Sequence, residues 1–324
     1  MRALLGVVLC SAALAQTKAP APVIGMLNYI HATAGLDKTV GFYRDVFGLE
    51  KPNPPRPPNP AVPALINAPG AQLQVAVLKI PGAPFGFELT YFGGVDHKPG
   101  QARATDPGTA GLMIQVRDLD PVLAALKKAG APIVSRSFGP VGVASPDGSS
   151  RAVVVRDPDG FVVEVAQSPA AGGTAVGNIL GAAMGRTVAD METTRKFYHD
   201  LLGFELTGKM EFGSNHALMD LVGAPDDATF RQMTTTVPGA SARMEFIEFN
   251  GMPRTPFRLR IPDPGCPAVA FRVSDLDGLL RRIKAAGVKV VSAGGVPAQF
   301  SPTVRNIFVE DPDGFKIELF QVSQ

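Results

Sequence analysis

The chain alternates between segments with the two-residue period of β-strands and segments with the 3.6-residue period of α-helices. Residues 24–33, 72–80 and 86–92 predict three strands. Between the first two strands, residues 36–47 predict a helix, and Gly48 is a typical C-terminal stop. The apolar positions that define its buried face are Val40, Phe42, Tyr43, Val46 and Phe47.

The following segment repeats this order of elements. A strand at 112–116 precedes Asp118, which we expect to cap a helix at 119–129. Residues 151–156 and 161–167 then predict a hairpin, because the Asp-Pro-Asp-Gly sequence between them suits a tight turn. Each half is therefore strand–helix–strand–strand–strand, and four such halves make the chain.

The chain also contains a long internal repeat. Residues 155–167 return as 309–321, and residues 41–50 return as 196–205. A repeat of this length indicates two domain-sized modules rather than a solenoid. We predict module one at 23–168 and module two at 177–324, with the small, uncharged residues between them as a linker.

The N-terminus predicts export. Residues 1–15 have the three parts of a signal peptide: the positive charge of Arg2, an apolar core at 3–9, and the cleavage sequence Ala13-Leu14-Ala15. The apolar core is too short to span a bilayer. We therefore expect a periplasmic or secreted protein.

Charge and cysteine content narrow the partners. The chain has 31 basic and 29 acidic residues without a basic patch, and it has no tryptophan. Neither nucleic acid nor membrane is an expected partner. After cleavage Cys266 is the remaining cysteine, so no intramolecular disulfide can form.

Three motifs carry a family resemblance. They are Phe-Tyr-x-Asp-x-x-Gly at 42–48, Val-x-Asp-Leu-Asp at 116–120, and Asp-Pro-Asp-Gly-Phe-x-x-Glu at 157–164. Together they resemble the vicinal oxygen chelate superfamily, which includes glyoxalase I, bleomycin-resistance proteins, fosfomycin-resistance enzymes and extradiol dioxygenases. The resemblance implies an α+β fold of tandem modules. In each module two βαβββ units would form a cupped, mostly antiparallel sheet with flanking helices.

The resemblance also implies where a metal would bind. Metal-using relatives commonly have His or Gln on the first strand, Glu on the fourth, His or Glu on the fifth and Glu on the eighth. The histidine-type positions here are Asn28, Gly111, Ala183 and Ala268. We therefore expect no transition-metal cofactor, since these metals favour imidazole. A weak divalent ion on Asn28, Glu88 and Glu164 in module one stays open.

The acidic positions persist, and we expect them to mark the ligand pockets. The interpretation places Glu88 opposite Glu164 in module one, and Glu248 opposite Glu318 in module two. His216, on an expected strand, is the best replacement ligand in module two. His31 should face away from Asn28, while His97 and His199 should be solvated. The candidate ligand-binding residues are thus Asn28, Glu88, Glu164, Glu248, Glu318 and His216.

Three functions remain open. The first is binding of a small organic molecule, as in bleomycin-resistance proteins, which requires only a shaped cup with a few polar anchors. The second is a metal-dependent, glyoxalase-like lyase or isomerase using Glu88 and Glu164. The third is a structural or partner-binding protein, which the proline-rich segment 52–60 alone favours, as a stiff lid or docking segment. The chain could be a monomer with paired modules or a homodimer.

Overall fold

A computed structural model describes residues 21–50, 59–143, 150–168 and 177–323. The predicted signal segment, residues 52–58 of the proline-rich segment and the expected linker at 169–174 lie outside these ranges. Within them, every helix is too short or too polar to cross a bilayer.

Fifteen strands and six α-helices make up the described structure. The strands are β1 (Val23–Ala32), β2 (Gln72–Lys79), β3 (Gly86–Gly93), β4 (Ala110–Val116), β5 (Val141–Gly142), β6 (Arg151–Arg156), β7 (Val162–Gln167), β8 (Ile179–Thr187), β9 (Leu206–Gly213), β10 (Thr229–Thr236), β11 (Arg243–Asn250), β12 (Pro267–Val273), β13 (Ala298–Ser301), β14 (Val304–Glu310) and β15 (Lys316–Val322). The helices are α1 (Leu36–Phe47), α2 (Val62–Leu65), α3 (Asp120–Ala129), α4 (Met191–Arg195), α5 (His216–Leu221) and α6 (Leu276–Ala285). A π-helical segment, Lys196–Leu201, continues α4, and Ala293–Gly295 forms a 3-10 turn.

In module one, the main helix of each half follows the sequence pattern closely. The structure confirms α1 at its predicted bounds, and Gly48 ends it with a left-handed φ of 67°. Helix α3 begins one residue later than expected, at Asp120. Asp118 still supports the turn before it, because its carboxylate accepts a hydrogen bond from the backbone N–H of Asp120 at 3.0 Å.

The strands form two curled, mixed sheets, and the predicted α+β class is confirmed. The first cup is the sheet ordered β13-β14-β15-β12-β1-β3-β2, and the second cup is the sheet ordered β5-β6-β7-β4-β8-β11-β10-β9. Each cup therefore combines one half of module one with one half of module two. Strand β1 pairs antiparallel with β12, and β4 pairs antiparallel with β8.

The expectation that each module forms its own cup is wrong. Within a module the two halves belong to different sheets and pack against each other through one large apolar core. That core contains Tyr29, Phe87 and Leu89 from the first sheet together with Leu112, Val163 and Val165 from the second. Stacking sheets in this way buries both back faces. The edges of β1 and β4 are thereby left to pair with the other module.

A buried ion pair joins the two halves of module one. His31 on β1 is fully buried, with Nε2 2.8 Å from Asp157 and 3.7 Å from Asp159 in the β6–β7 turn. Its ring stacks on Phe161 at 4.3 Å, and the Tyr43 hydroxyl donates to Asp157 at 3.2 Å. His31 therefore faces away from Asn28, as predicted, and connects the two sheets.

Module two repeats this cluster with arginine in place of histidine. Arg186 on β8 is buried, with Nη1 2.7 Å from Asp311 and its guanidinium 3.9 Å from the centre of the Phe315 ring. The Tyr198 hydroxyl donates to Asp311 at 3.1 Å. The Asp-Pro-Asp-Gly-Phe turn thus holds a buried cation in both modules, and in both it joins the two sheets.

Candidate functional site

The first cup contains two carboxylates that amides already hold. Glu88 on β3 accepts a hydrogen bond from Asn28 at 2.5 Å, and Glu318 on β15 accepts one from Asn306 at 2.5 Å. Burial, and then the charge of Glu88, raise the pKa of Glu318 to about 7. The cavity beside them measures about 60 Å³. Its walls are mainly apolar and include Ile30, Leu65, Phe92, Ile261, Ala268 and Phe308.

The second cup holds its two carboxylates differently. Glu245 on β11 accepts a hydrogen bond from Gln232 at 2.6 Å and lies 2.7 Å from Arg243. Glu164 on β7 is half-buried, and within the described residues no hydrogen bond reaches its carboxylate. Burial, and then the charge of Glu245, raise the pKa of Glu164 to about 7.

Open space lies on both sides of this second pair of carboxylates. An interior cavity of about 120 Å³ and an outer groove of about 600 Å³ meet there. Both spaces are lined by Met113, Glu164, Leu218, Gln232 and Glu245. The second cup therefore has room for an organic molecule whose polar groups would lie close to Glu164.

The pairing of glutamates differs from the sequence interpretation. Glu88 lies in the first cup and Glu164 in the second, so the expected pair across module one is wrong. The physical reason is the exchange of halves between the modules. The observed pairs are Glu88 with Glu318, and Glu164 with Glu245, each joining one residue from each module.

The prediction that placed Glu248 opposite Glu318 is also wrong, because Glu318 pairs with Glu88 and Glu248 is held elsewhere. Its carboxylate accepts from the backbone N–H of Met191 at 2.6 Å and pairs with Arg231 at 2.7 Å. Three residues along a strand reverse the side chain, so Glu248 faces away from the pair that Glu245 forms with Glu164. Strand register identifies Glu245 as the true counterpart.

The sequence contained a signal for this register. Glu88 lies beside Ile30 and Glu245 lies beside Gly185, which are equivalent positions on β1 and β8. The sequence Met244-Glu245-Phe246 also follows Phe87-Glu88-Leu89 at the same spacing that relates Asp118 to Asp275.

The prediction that placed His216 on a strand is wrong. His216 is the first residue of α5, since Asn215 caps that helix by accepting from the N–H of Leu218 at 3.1 Å. Its side chain is 78% exposed and lies 3.2 Å from Asp226. It is absent from the lining of the two spaces in the second cup.

The other two histidines are also outside the cups. The ring of His97 is within 2.7 Å of the carbonyl oxygen of Phe92. The ring of His199 lies 2.7 Å from Asp200 and is 40% exposed.

The ligand sets of the cups do not fit a transition metal. In the second cup the histidine-type positions are Gly111 and Ala183, which provide no donor atom. In the first cup Asn28 donates its amide to Glu88, and Ala268 provides nothing. Among the described residues, one group of three possible metal-binding side chains has ligand atoms within 4.8 Å of one another. This group is His31, Asp157 and Asp159, which lie between the sheets and outside both cups.

The expected weak site in module one is also disrupted. It combined Asn28 and Glu88 with Glu164, and these residues lie in different sheets. A single ion cannot use all three.

The comparison with protein families supports the architecture. The model of the Glyoxalase/Bleomycin resistance protein/Dioxygenase superfamily matches residues 27–165 and 180–319. The chain belongs to this superfamily. The two matches cover nearly all of both modules, so each module is a family unit in its own right.

Individual relatives match a stretch of the chain about as long as one module. The chain is 29% identical over 136 residues to a probable lactoylglutathione lyase of Synechocystis sp., covering 42% of this chain and 90% of the relative. It is 27% identical over 134 residues to a lactoylglutathione lyase of Neisseria meningitidis, covering 41% of this chain and 84% of the relative.

Two solved structures match the fold of this chain over nearly its whole length. Glyoxalase I from Zea mays has a TM-score of 0.58 at 21% identity, covering 91% of this chain and 92% of the maize chain. A putative dioxygenase from Bacillus subtilis has a TM-score of 0.56 at 14% identity, covering 94% of this chain and 87% of that chain. At these identities the likeness concerns the fold alone.

Proposed function

We propose that the protein binds a small organic molecule in the second cup, without a transition metal, and that Glu164 contacts a polar group of this ligand. One observation carries the proposal. The Glu164 carboxylate is desolvated beside Glu245, and within the described residues no hydrogen bond reaches it. A desolvated carboxylate without a hydrogen-bond partner destabilises the folded protein. A cationic or hydrogen-bonding group of a ligand would compensate by binding to it.

The shape and lining of the second cup support an organic ligand. Val154, Val162, Ile247 and Phe249 provide apolar walls around the interior cavity. A mainly apolar lining with a small number of polar groups is typical of small-molecule sites. Because Gln232 and Arg243 already hold Glu245, the free hydrogen-bonding capacity of the pair lies with Glu164.

Benzylamine and benzyl alcohol provide a direct test. They have similar shapes, but benzylamine is a cation at neutral pH. We expect benzylamine to bind at least about fivefold more tightly than benzyl alcohol at pH 8, where Glu164 is ionised, and the preference to weaken at pH 6. Calorimetric titration measures both affinities.

Two variants make this test specific. Glu164→Gln should abolish the preference, whereas the matched change Glu318→Gln in the first cup should leave it intact. Equal affinities of the two probes at pH 8, or the same loss in both variants, would refute the proposal.

The absence of a transition metal has a separate test. Ala183 and Gly111 in place of histidine-type ligands motivate the expectation. Elemental analysis of protein purified without a histidine tag should find far less than one zinc, nickel or iron per chain. About one metal per chain, removable by a chelator together with ligand binding, would contradict it.

Lactoylglutathione lyase activity is a second candidate. The names of the two relatives and the pKa of Glu164 favour it, since a carboxylate that titrates near neutral pH can accept and return a proton. Glu164 would act with Glu245 rather than with Glu88. Formation of lactoylglutathione by the purified protein, lost in Glu164→Gln and retained in Glu318→Gln, would support the enzyme over the binding protein.

We also propose export to the periplasm or the exterior. The support is the charge of Arg2, the apolar run after it and the Ala13-Leu14-Ala15 cleavage sequence. N-terminal sequencing of material from outside the cytoplasm should begin near Gln16, and a retained Met1 would refute the proposal.

A further inference from the structure

A large polar space lies at one end of the first cup. This outer cleft measures about 1130 Å³. Loops at 66–69, 94–98, 258–263 and 289–291 line it, together with Glu310 and Lys316. Ile66 and Ile261 line both the outer cleft and the 60 Å³ cavity of the first cup, so the two spaces are neighbours.

The outer cleft continues the inner surface of the first cup. Glu310 and Lys316 lie directly opposite each other on β14 and β15. Phe308 and Glu318 form another opposed pair two residues further along the strands. Because side chains two residues apart share a face, Lys316 and Glu310 lie on the cup side of the sheet with Glu318.

One carboxylate in the outer cleft faces three cations. The Lys316 side chain is 3% exposed, with Nζ 2.8 Å from Glu310. Lys289 Nζ is 3.0 Å from the same oxygen, and Arg258 is 3.8 Å from the other oxygen. Burial acts to raise the pKa of Glu310, but Lys316 and Lys289 outweigh it and lower the pKa. Glu310 therefore carries one negative charge against three positive ones.

The rest of the lining does not cancel this excess. Arg260 pairs with Asp263 at 2.6 Å, and Lys98 forms no ion pair with the described residues. The lining contains five basic side chains and three carboxylates in all, an excess of two positive charges.

Module one provides an internal comparison. The residues equivalent to Glu310 and Lys316 are Arg156 and Val162, which are also directly opposite each other. Arg156 donates to the carbonyl oxygens of Gly160 and Ala102, and the space there is about 20 Å³. The cationic cluster is thus a property of module two and not of the repeat.

We propose that the outer cleft binds the oxyanion of a small organic acid or phosphate monoester, whose apolar part enters the cavity of the first cup. The surplus of cations around Glu310 matches an anionic head group, and Lys289 and Arg258 are exposed enough to reach it. The 60 Å³ cavity has room for about two methylene-sized groups, given about 30 Å³ per water molecule in liquid. This site is distinct from the one proposed in the second cup.

Two series of probes test the proposal. One is inorganic phosphate, methyl phosphate, ethyl phosphate and propyl phosphate, and the other is acetate, propionate and butyrate. By calorimetric titration of the full chain, we expect at least one series to bind, with affinity rising about fourfold for each of the first two methylene groups. The series that binds identifies whether phosphate or carboxylate is the natural head group.

Charge variants locate the site. Lys289→Gln and Arg258→Gln should each weaken binding at least about fivefold, because both side chains are exposed and face Glu310. Lys127→Gln on α3 removes the same charge from another exposed surface and should change affinity less than about twofold. Glu164→Gln should leave the affinity unchanged, which separates this test from that of the second cup.

The contrary results are equally definite. No binding in either series at about 20 mM, or equal weakening by Lys289→Gln and Lys127→Gln, would overturn the proposal. An affinity that does not rise with chain length would also overturn it, since the apolar part would then remain outside the cavity.

Discussion

Replacing Glu164 by glutamine should stabilise the protein above neutral pH. Glutamine keeps the shape of the side chain and removes the charge that burial and Glu245 disfavour. The pKa of Glu164 rises from its ordinary 4.5 to about 7 in the folded protein. At about 1.4 kcal/mol for each tenfold change in acidity, this difference corresponds to about 3 kcal/mol. Because Glu164 is only half-buried, we take this as an upper bound.

The sign of the effect sets the pH window. An acid with a raised folded pKa favours folding below its unfolded pKa, and this contribution is lost as the pH rises through the folded value. The variant and the parent should therefore be equally stable near pH 4.5. Above about pH 7 the variant should exceed the parent in free energy of unfolding by about 1 to 3 kcal/mol.

Urea unfolding at pH 5 and pH 8 measures this difference. The chain has no tryptophan, so far-ultraviolet circular dichroism is the suitable signal. Glu248→Gln is the control. Because Arg231 pairs with Glu248, this substitution should make the protein less stable. A Glu164→Gln variant that is no more stable than the parent at pH 8, or that gains as much at pH 5, would refute the reasoning.

Three further predictions follow from buried groups. Burial acts to lower the pKa of His31, but Asp157 and Asp159 outweigh it and raise the pKa to about 9. The ion pair should therefore contribute about 3 kcal/mol to stability below pH 6.5, and this contribution should be lost as the pH rises through 9. Urea midpoints that fall no further in the parent than in His31→Gln over this range would contradict this. Arg231→Gln should cost about 3 kcal/mol, because it leaves the buried Glu248 carboxylate without its cation and, among the described residues, with only the Met191 N–H as a partner. A loss under about 1 kcal/mol in urea unfolding would contradict that role. Burial raises the pKa of the Cys266 thiol to about 12, so iodoacetamide should label it only after denaturation, and rapid labelling of folded protein at pH 8 would be the opposite result.

Local structure was largely predictable from the sequence. Helix α1 and the β6–β7 hairpin follow from apolar spacing and from residues with special backbone preferences, such as Gly48 and the Asp-Pro-Asp-Gly turn. The orientation of His31 followed from alternation along β1. These features depend on neighbouring residues alone, so one sequence is enough to define them.

The partnership between halves could not be read in the same way. A cup made within one module and a cup made between modules have the same strand patterns, turns and apolar faces. The choice depends on which edges meet, as in the pairing of β1 with β12, and no local pattern encodes it. The error for Glu248 has a different origin, because unequal loops moved the repeat out of register. The strand prediction for His216 fails because the Asn215 side chain caps a helix at this position instead.

The exchange of halves between modules has a consequence for how the chain folds. Val23 at the start of β1 pairs with Val273, so the first cup cannot close until most of the chain has left the ribosome. Contacts between residues this distant in sequence slow folding. Until they form, the edges of the unpaired strands remain exposed. The second cup joins β4 to β8 across the middle of the chain and can form earlier. The completed second cup would then hold β1 in place as a template on which the last strands assemble.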